Sequence, residues 1–159
     1  MSQWDSAAHV PLGMWNAKME GGKVIDLPVS LHNIPKTILD LAGLPYRPDW
    51  TSGQSLLPLV DSSFGTYDAS KSPVTSVFGT LSVRSARPDL NQYRYFRYPN
   101  GEEHVYDLVN DPGETENLCE TAPIQELRQE LVENALELGL DLRGYENPDR
   151  GVNAMMSLD

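Results

Sequence analysis

An α+β fold is expected for this chain: a small four-stranded antiparallel sheet packed by a C-terminal helix, preceded by a strand–helix remnant of a larger α/β unit. Three observations predict it. Aromatic and β-branched runs at 93–98 and 103–108 flank Pro99-Asn100-Gly101-Glu102, and an Asn-Gly pair between such runs signals a hairpin, because a type I′ turn needs positive φ at both central residues. Ile124, Leu127, Leu131, Ala135 and Leu138 recur at the spacing of one helix face. Leu31, Ile34, Ile38 and Leu41 do the same earlier in the chain.

Taken in order, Val10-Pro11-Leu12-Gly13-Met14-Trp15 is short and continuously apolar, the pattern of a buried strand. A helix is predicted over 31–42, with Ser30 as N-cap, Pro35 near the first turn and Gly43 as the C′ residue. The stretch 45–73 is rich in Pro, Ser, Asp and Gly, interrupted by Ser55–Val60 as a short helical turn. Strands follow at Val74–Phe78 and Leu81–Arg84, then the hairpin. Its Asn-Gly turn sets Tyr98 opposite Glu103, Phe96 opposite Val105 and Arg94 opposite Asp107. One face then carries Tyr93, Tyr95, Tyr106 and Leu108, the other Phe96, Tyr98 and Val105, so both faces need covers. The helix at 122–138, stopped by Gly139, is one. The N-terminal segment, or something outside the chain, is the other. The expected units are 1–62, the end of an α/β domain, then 73–140, the sheet and helix, and a tail at 141–159.

The chain has 159 residues and a formal charge of −11. That charge argues against nucleic-acid or anionic-membrane partners, which need a positive field. A single cysteine, Cys119, excludes an internal disulfide and an all-thiolate metal site. No stretch has the ~20 apolar residues of a membrane span, and the N-terminus lacks a signal-peptide pattern. Periplasmic, secreted and cytoplasmic locations all remain open.

Three stretches resemble the C-terminal region of the formylglycine-dependent sulfatases, in the alkaline phosphatase superfamily. Trp4-Asp5-Ser6-Ala7-Ala8-His9-Val10-Pro11-Leu12 is similar to a family segment with Trp, an acid, then Arg or His before Val-Pro. Val29–Gly43 resembles the family's helix ending in Leu-Asp-Leu-Ala-Gly, with Lys36 inserted between Pro35 and Thr37. Glu103–Leu108 running into Asp111-Pro112-Gly113-Glu114-Thr115-Glu116-Asn117-Leu118 resembles the family's most specific closing signature. The likeness covers about residues 3–140. It implies a sulfuric ester hydrolase in which a formylglycine gem-diol attacks sulfur while calcium stabilises the developing charge. The nucleophile motif, Cys or Ser followed by x-Pro-x-Arg, does not occur here, and Cys119 precedes Glu120-Thr121-Ala122. The resemblance therefore implies a C-terminal fragment whose partner is the missing N-terminal catalytic domain, and which has no calcium ligand or formylglycine of its own.

No catalytic or metal-binding residue is assigned in this chain. The substrate-cleft candidates are His9, an imidazole that can attract a sulfate ester, and Trp4, an aromatic wall for a sugar or aryl ring. A surface histidine capping strand-end carbonyls and a tryptophan packed under the strand are the competing readings. Asp107, Asp111, Glu114 and Glu116 cluster in sequence but lack a calcium-loop spacing, so 111–114 reads as a tight turn. Lys71, Arg84, Arg87, Arg94 and Arg97 form either a sulfate-facing groove or paired surface charges. Two other functions stay open: a non-catalytic module binding a partner or anionic glycan, and the tail of a phosphatase or phosphonate hydrolase. The exposed apolar surface of such a chain is covered either by a homodimer or by the N-terminal segment folding back.

Overall fold

The sheet is a simple meander. In the computed structural model, which describes residues 4–17, 21–47, 52–140 and 142, its strands are β1 (Val74–Val77), β2 (Thr80–Arg84), β3 (Tyr93–Arg97) and β4 (Glu103–Asp107), all antiparallel and in chain order. Four helices accompany them: α1 (Asp5–Ala8), α2 (Asn33–Leu41), α3 (Leu57–Val60) and α4 (Ile124–Glu137), with a 3₁₀ turn at Ser62–Phe64. The tail expected at 141–159 lies, apart from Leu142, outside the described residues.

The inner face of the sheet carries the core. Leu81 and Val83 of β2, Tyr95 of β3 and Val105 of β4 pack against Leu127, Leu131 and Ala135 of α4, with Leu90 closing one end. Those three α4 residues lie at i, i+4 and i+8, so one stripe of the helix covers the face and the rest stays solvated. Two polar locks from the middle of the helix fix it to the sheet and its flanking loops. Glu103 accepts from Arg128 Nε and Nη2 at 2.8 and 2.7 Å, from Arg97 at 3.2 Å, and from the Tyr95 hydroxyl. These cations and donors hold its carboxyl below the usual carboxylate range, despite partial burial. Two residues after Arg128, the buried Glu130 accepts from Ser85 Oγ at 2.9 Å and from Ser72 Oγ.

The hairpin register is one residue away from the sequence expectation. Tyr95 faces Val105, Phe96 faces His104 and Arg97 faces Glu103, so Arg94 lies opposite Tyr106 rather than Asp107, and His104 opposite Phe96 rather than Arg97. The cause is Pro99. Its ring locks its own φ negative, which suits position i+1 of a type I turn, and it lacks the N–H that a two-residue Asn100-Gly101 turn needs from the residue before it. Gly101 N–H bonds the Tyr98 carbonyl at 3.0 Å, and Tyr98 N–H bonds the Glu102 carbonyl at 2.9 Å, closing a three-residue loop in which Gly101 takes φ 86°. Tyr95 and Val105 therefore share the inner face, while Phe96 and Tyr106 share the outer one.

The two-residue turn with both φ positive sits instead at Phe78-Gly79, between β1 and β2, with φ 48° and 77°. Phe78 is exposed, so nothing offsets the cost of its left-handed backbone. Phe78→Asn should stabilise the chain by about 1 kcal/mol, since Asn visits this region far more readily. A thermal melt showing no rise, or a fall, would mean the Phe78 ring contributes more than its exposure indicates.

At the N-terminal end, residues 9–15 form no strand among the described residues, and Val10, Leu12, Met14 and Trp15 are exposed. The predicted strand lacks a neighbour here. Helix α2 starts two residues later than expected, with His32 rather than Ser30 at the N-cap position; Ser30 still braces the start, its Oγ accepting from His32 N–H at 3.2 Å and its N–H donating to Asn33 Oδ1 at 2.8 Å. Gly43 takes φ 65° as its C′ residue.

Candidate functional site

The outer face of the sheet is where the N-terminal segment lands. Phe96 and Tyr106 bring their rings to within 5.7 Å, and Trp4 lies across both, 5.4 Å from Phe96 and 5.5 Å from Tyr106. Tyr98 stacks beside Phe96, and His104 meets the edge of Tyr98 at 4.9 Å. The aromatic character follows from alternation: Phe96, Tyr98, His104 and Tyr106 occupy every second position of two paired strands. His104 Nδ1 lies 2.9 Å from the Tyr106 hydroxyl, and burial pushes that phenol up to about 12, so it stays protonated at neutral pH. Trp4 keeps 37% of its surface exposed. The ring is laid on Phe96 and Tyr106 with one side open.

A buried charge cluster lies beside this ring. Arg94, in mid-strand on the outer face, is buried among aromatic neighbours, with its guanidinium 5.2 Å from the Phe96 ring. Its Nη1 donates to Asp5 Oδ1 at 2.9 Å and its Nη2 to Ser82 Oγ at 3.4 Å. Glu114, also buried, places Oε1 4.0 Å from Arg94 Nε while Oε2 accepts from the Asp5 backbone N–H at 2.7 Å. Burial raises the Glu114 carboxyl above its usual range, against the lowering effects of that N–H and of Arg94. Glu114 also holds φ 54°, a strained conformation for a non-glycine residue that its two contacts maintain. Arg94 and Glu114 together pin Asp5, and with it Trp4 on one side and α1 on the other.

His9 closes α1, with Nδ1 3.3 Å from Asp5 Oδ2 and 77% of its side chain exposed. One carboxylate therefore bridges the buried Arg94 and the exposed imidazole. The two residues singled out from sequence sit at either end of a single anchored turn.

Three of the remaining basic candidates are spent on acidic neighbours. Lys71 pairs with Glu137, Arg87 with Asp89 at 2.7 Å, and Arg97 with Glu103. The segment after β4 is the expected turn: Asp111 Oδ2 accepts from Thr115 and Glu116 N–H at 2.6 and 2.8 Å. Asn117 Oδ1 accepts from the N–H groups of Val105 and Cys119, and Leu118 packs on the core. The sequence reading missed Asp5, Arg94 and Glu114 as a unit. An arginine alternating with aromatic residues in a strand was the available signal.

Among the described residues no three His, Cys, Asp or Glu side chains are placed to hold a metal ion. The Cys119 thiol donates to the Glu103 carbonyl at 2.7 Å, and burial raises its pKa, away from the thiolate. Neither calcium nor a formylglycine is assigned to residues of this chain. Among the described residues no helix is long and apolar enough to cross a membrane.

Comparison with known proteins settles the lineage. Arylsulfatase K of Homo sapiens is 33% identical over 132 residues, covering 77% of this chain and 24% of the relative. A sulfatase of Formosa agariphila is 31% identical over 111 residues, covering 70% of this chain and 20% of the relative. The chain belongs to the sulfatase family. It corresponds to the C-terminal region of these sulfatases and spans about a quarter of the length of the curated relatives it matches. No family model matches the chain. Among solved structures, a 2-O GAG sulfatase aligns with a TM-score of 0.48 at 23% identity, covering 72% of this chain and 28% of that one.

Proposed function

We propose that this chain serves a sulfuric ester hydrolase as its C-terminal region, and that the anchored turn from Trp4 to His9 forms one wall of the substrate cleft. The observation that carries this reading is the Arg94–Asp5–Glu114 anchor, which holds a half-open indole and an exposed imidazole at the two ends of one turn. An indole face stacks on the ring of an aryl or sugar alcohol, and an imidazole on the same turn offers a donor to a sulfate oxygen. Neither breaks the ester; their role is to position it. The acidic remainder of the surface, at −11 overall, disfavours loose capture of a sulfate ester elsewhere on the chain.

The test is a chimera in which this chain replaces the matching region of the human relative, assayed with an aryl sulfate. Trp4→Ala and His9→Ala should each raise KM about 2–10-fold with kcat little changed, the size expected for losing one ring contact or one exposed hydrogen bond. An unchanged KM in both variants would remove these residues from the cleft.

A further inference from the structure

The two edges of the sheet differ in how their backbone is satisfied. In an antiparallel sheet every second residue of an edge strand points its N–H and C=O outward. On β4 those residues include Glu103 and Val105, and the loop that follows closes them. Leu118 N–H bonds the Val105 carbonyl at 2.8 Å, Asn117 Oδ1 accepts from Val105 N–H at 3.0 Å, and the Cys119 thiol donates to the Glu103 carbonyl. On β1 the outward residues are Val74 and Ser76. Arg84 N–H bonds the Pro73 carbonyl at 3.2 Å, and that alternation turns Thr75 and Val77 toward β2. Val74 and Ser76 therefore offer two donors and two acceptors that have no partner among the described residues.

Open edges are ordinarily blunted by a charged residue, a proline or a bulge within the strand. Val74–Val77 has none of these, and its pairing with β2 is continuous. Residues 72–83 carry no charge at all, in a chain of net charge −11. Two copies repel wherever their acidic surfaces meet, so this neutral edge is where they approach with least repulsion. The strand is also complementary to itself. When two β1 strands lie antiparallel about a two-fold axis at Thr75, Val74 of one copy stands opposite Ser76 of the other. Each such pair exchanges both of its hydrogen bonds, and the two Thr75 residues form the close pair between them. The same register brings Phe78, 70% exposed and held at positive φ, to the Ser72-Pro73 end of the other copy's strand.

We infer that the free edge of β1 is a homodimer seam, where a second copy of this chain pairs through Val74 and Ser76 and joins the two four-stranded meanders into one continuous sheet. Sequence left a homodimer open; the edge supplies its strand and its register. The inference is independent of the cleft reading, which concerns Trp4 and His9.

The test uses the isolated chain in a Cys119→Ser background carrying Thr75→Cys or Val77→Cys, oxidised in a glutathione buffer, with covalent dimer read on a gel. Across the axis the two Thr75 Cα atoms lie about 4.5 Å apart, within disulfide reach. The two Val77 positions, on the same face of the strand, lie about 13 Å apart and are out of reach. Thr75→Cys should therefore cross-link at least about tenfold faster than Val77→Cys. Equal rates, or no cross-link at position 75, would overturn the inference. Amide exchange reads the same seam in the unmodified chain. Val74 and Ser76 N–H should exchange at least about tenfold more slowly in concentrated than in dilute protein. Over that range the apparent mass should rise from 17.7 kDa toward twice that value, while Thr75 and Val77 stay protected throughout. Fast exchange at Val74 and Ser76 at every concentration would contradict the seam. So would slow exchange in a chain that stays monomeric, because another segment of the same chain would then cover the edge. Ser76→Pro removes an outward donor without touching the bonds to β2, and should abolish the concentration dependence. A Ser76→Pro chain that still pairs would place the seam elsewhere.

Discussion

Replacing Arg94 with methionine is expected to cost the chain about 3 kcal/mol, at the lower end of the range for removing one partner of a buried ion pair. The substitution keeps the volume of the stem but removes the cation that bonds Asp5 and lies nearest Glu114, leaving only Arg84, opposite Arg94 across the strands, to face the two carboxylates. Asp5 is partly exposed and can rehydrate; the buried Glu114 cannot. A urea melt should show a midpoint shift of about 1–3 M, given an unfolding slope of about 1–3 kcal/mol/M. The loss should depend on pH in a definite direction. Burial already favours the neutral Glu114 carboxyl in the folded state, and removing its cation strengthens that preference. The penalty is therefore full above the raised Glu114 pKa and shrinks as pH falls through it, because a protonated carboxyl no longer needs a counter-charge. Adding Glu114→Gln to Arg94→Met should recover part of the loss, as residues in one network do not act additively. A midpoint within 0.2 M of wild type, roughly 0.4 kcal/mol at such slopes, would mean the anchor is not buried as described.

The second large effect belongs to the core. Leu127 is completely buried between α4 and the inner face of the sheet. Leu127→Ala should destabilise by about 2–5 kcal/mol, combining lost transfer energy with a cavity that β-strands can collapse into only partly. Val132, on the outer side of the same helix, provides the internal control: Val132→Ala should change stability by no more than about 0.5 kcal/mol. Equal losses at the two positions would contradict the orientation of α4.

Strands and helices were legible where a period and a stop signal coincided. The five apolar residues from Ile124 to Leu138, bounded by Gly139, predicted α4 to within two residues at its start. The hairpin was legible as a hairpin but not in its register. Asn100-Gly101 promotes a primed turn, Pro99 opposes it, and the sequence pattern does not say which wins. That single residue matters downstream, because it decides whether Arg94 faces Asp107 or stands beside Phe96 and Tyr106. With the shifted register Arg94 would have been explained by a cross-strand acid, and its real partners, Asp5 and Glu114, are 89 and 20 residues away by numbering. Such long-range pairing leaves no local trace. Trp4 and His9 were found through resemblance, and their shared anchor through geometry alone.

The N-terminal run failed as a strand for a related reason. A continuous apolar stretch has the pattern of a buried strand, yet pairing requires a neighbour, and the described residues offer none to Val10–Trp15. Propensity specifies what an element can become, and its partner determines whether it does. Helix α2 formed without its apolar cover because Asn33 and Thr37 tie its polar side to Gln54 and Leu56.

Hydrolysis of an aryl sulfate by the isolated chain and by the human-relative chimera, measured side by side with added calcium, tests the central claim most directly. The chain contains no Cys or Ser followed by x-Pro-x-Arg, so no turnover is expected from the chain alone and clear turnover from the chimera. Turnover by the isolated chain that persists in Cys119→Ala, or a folded chimera with none, would contradict it.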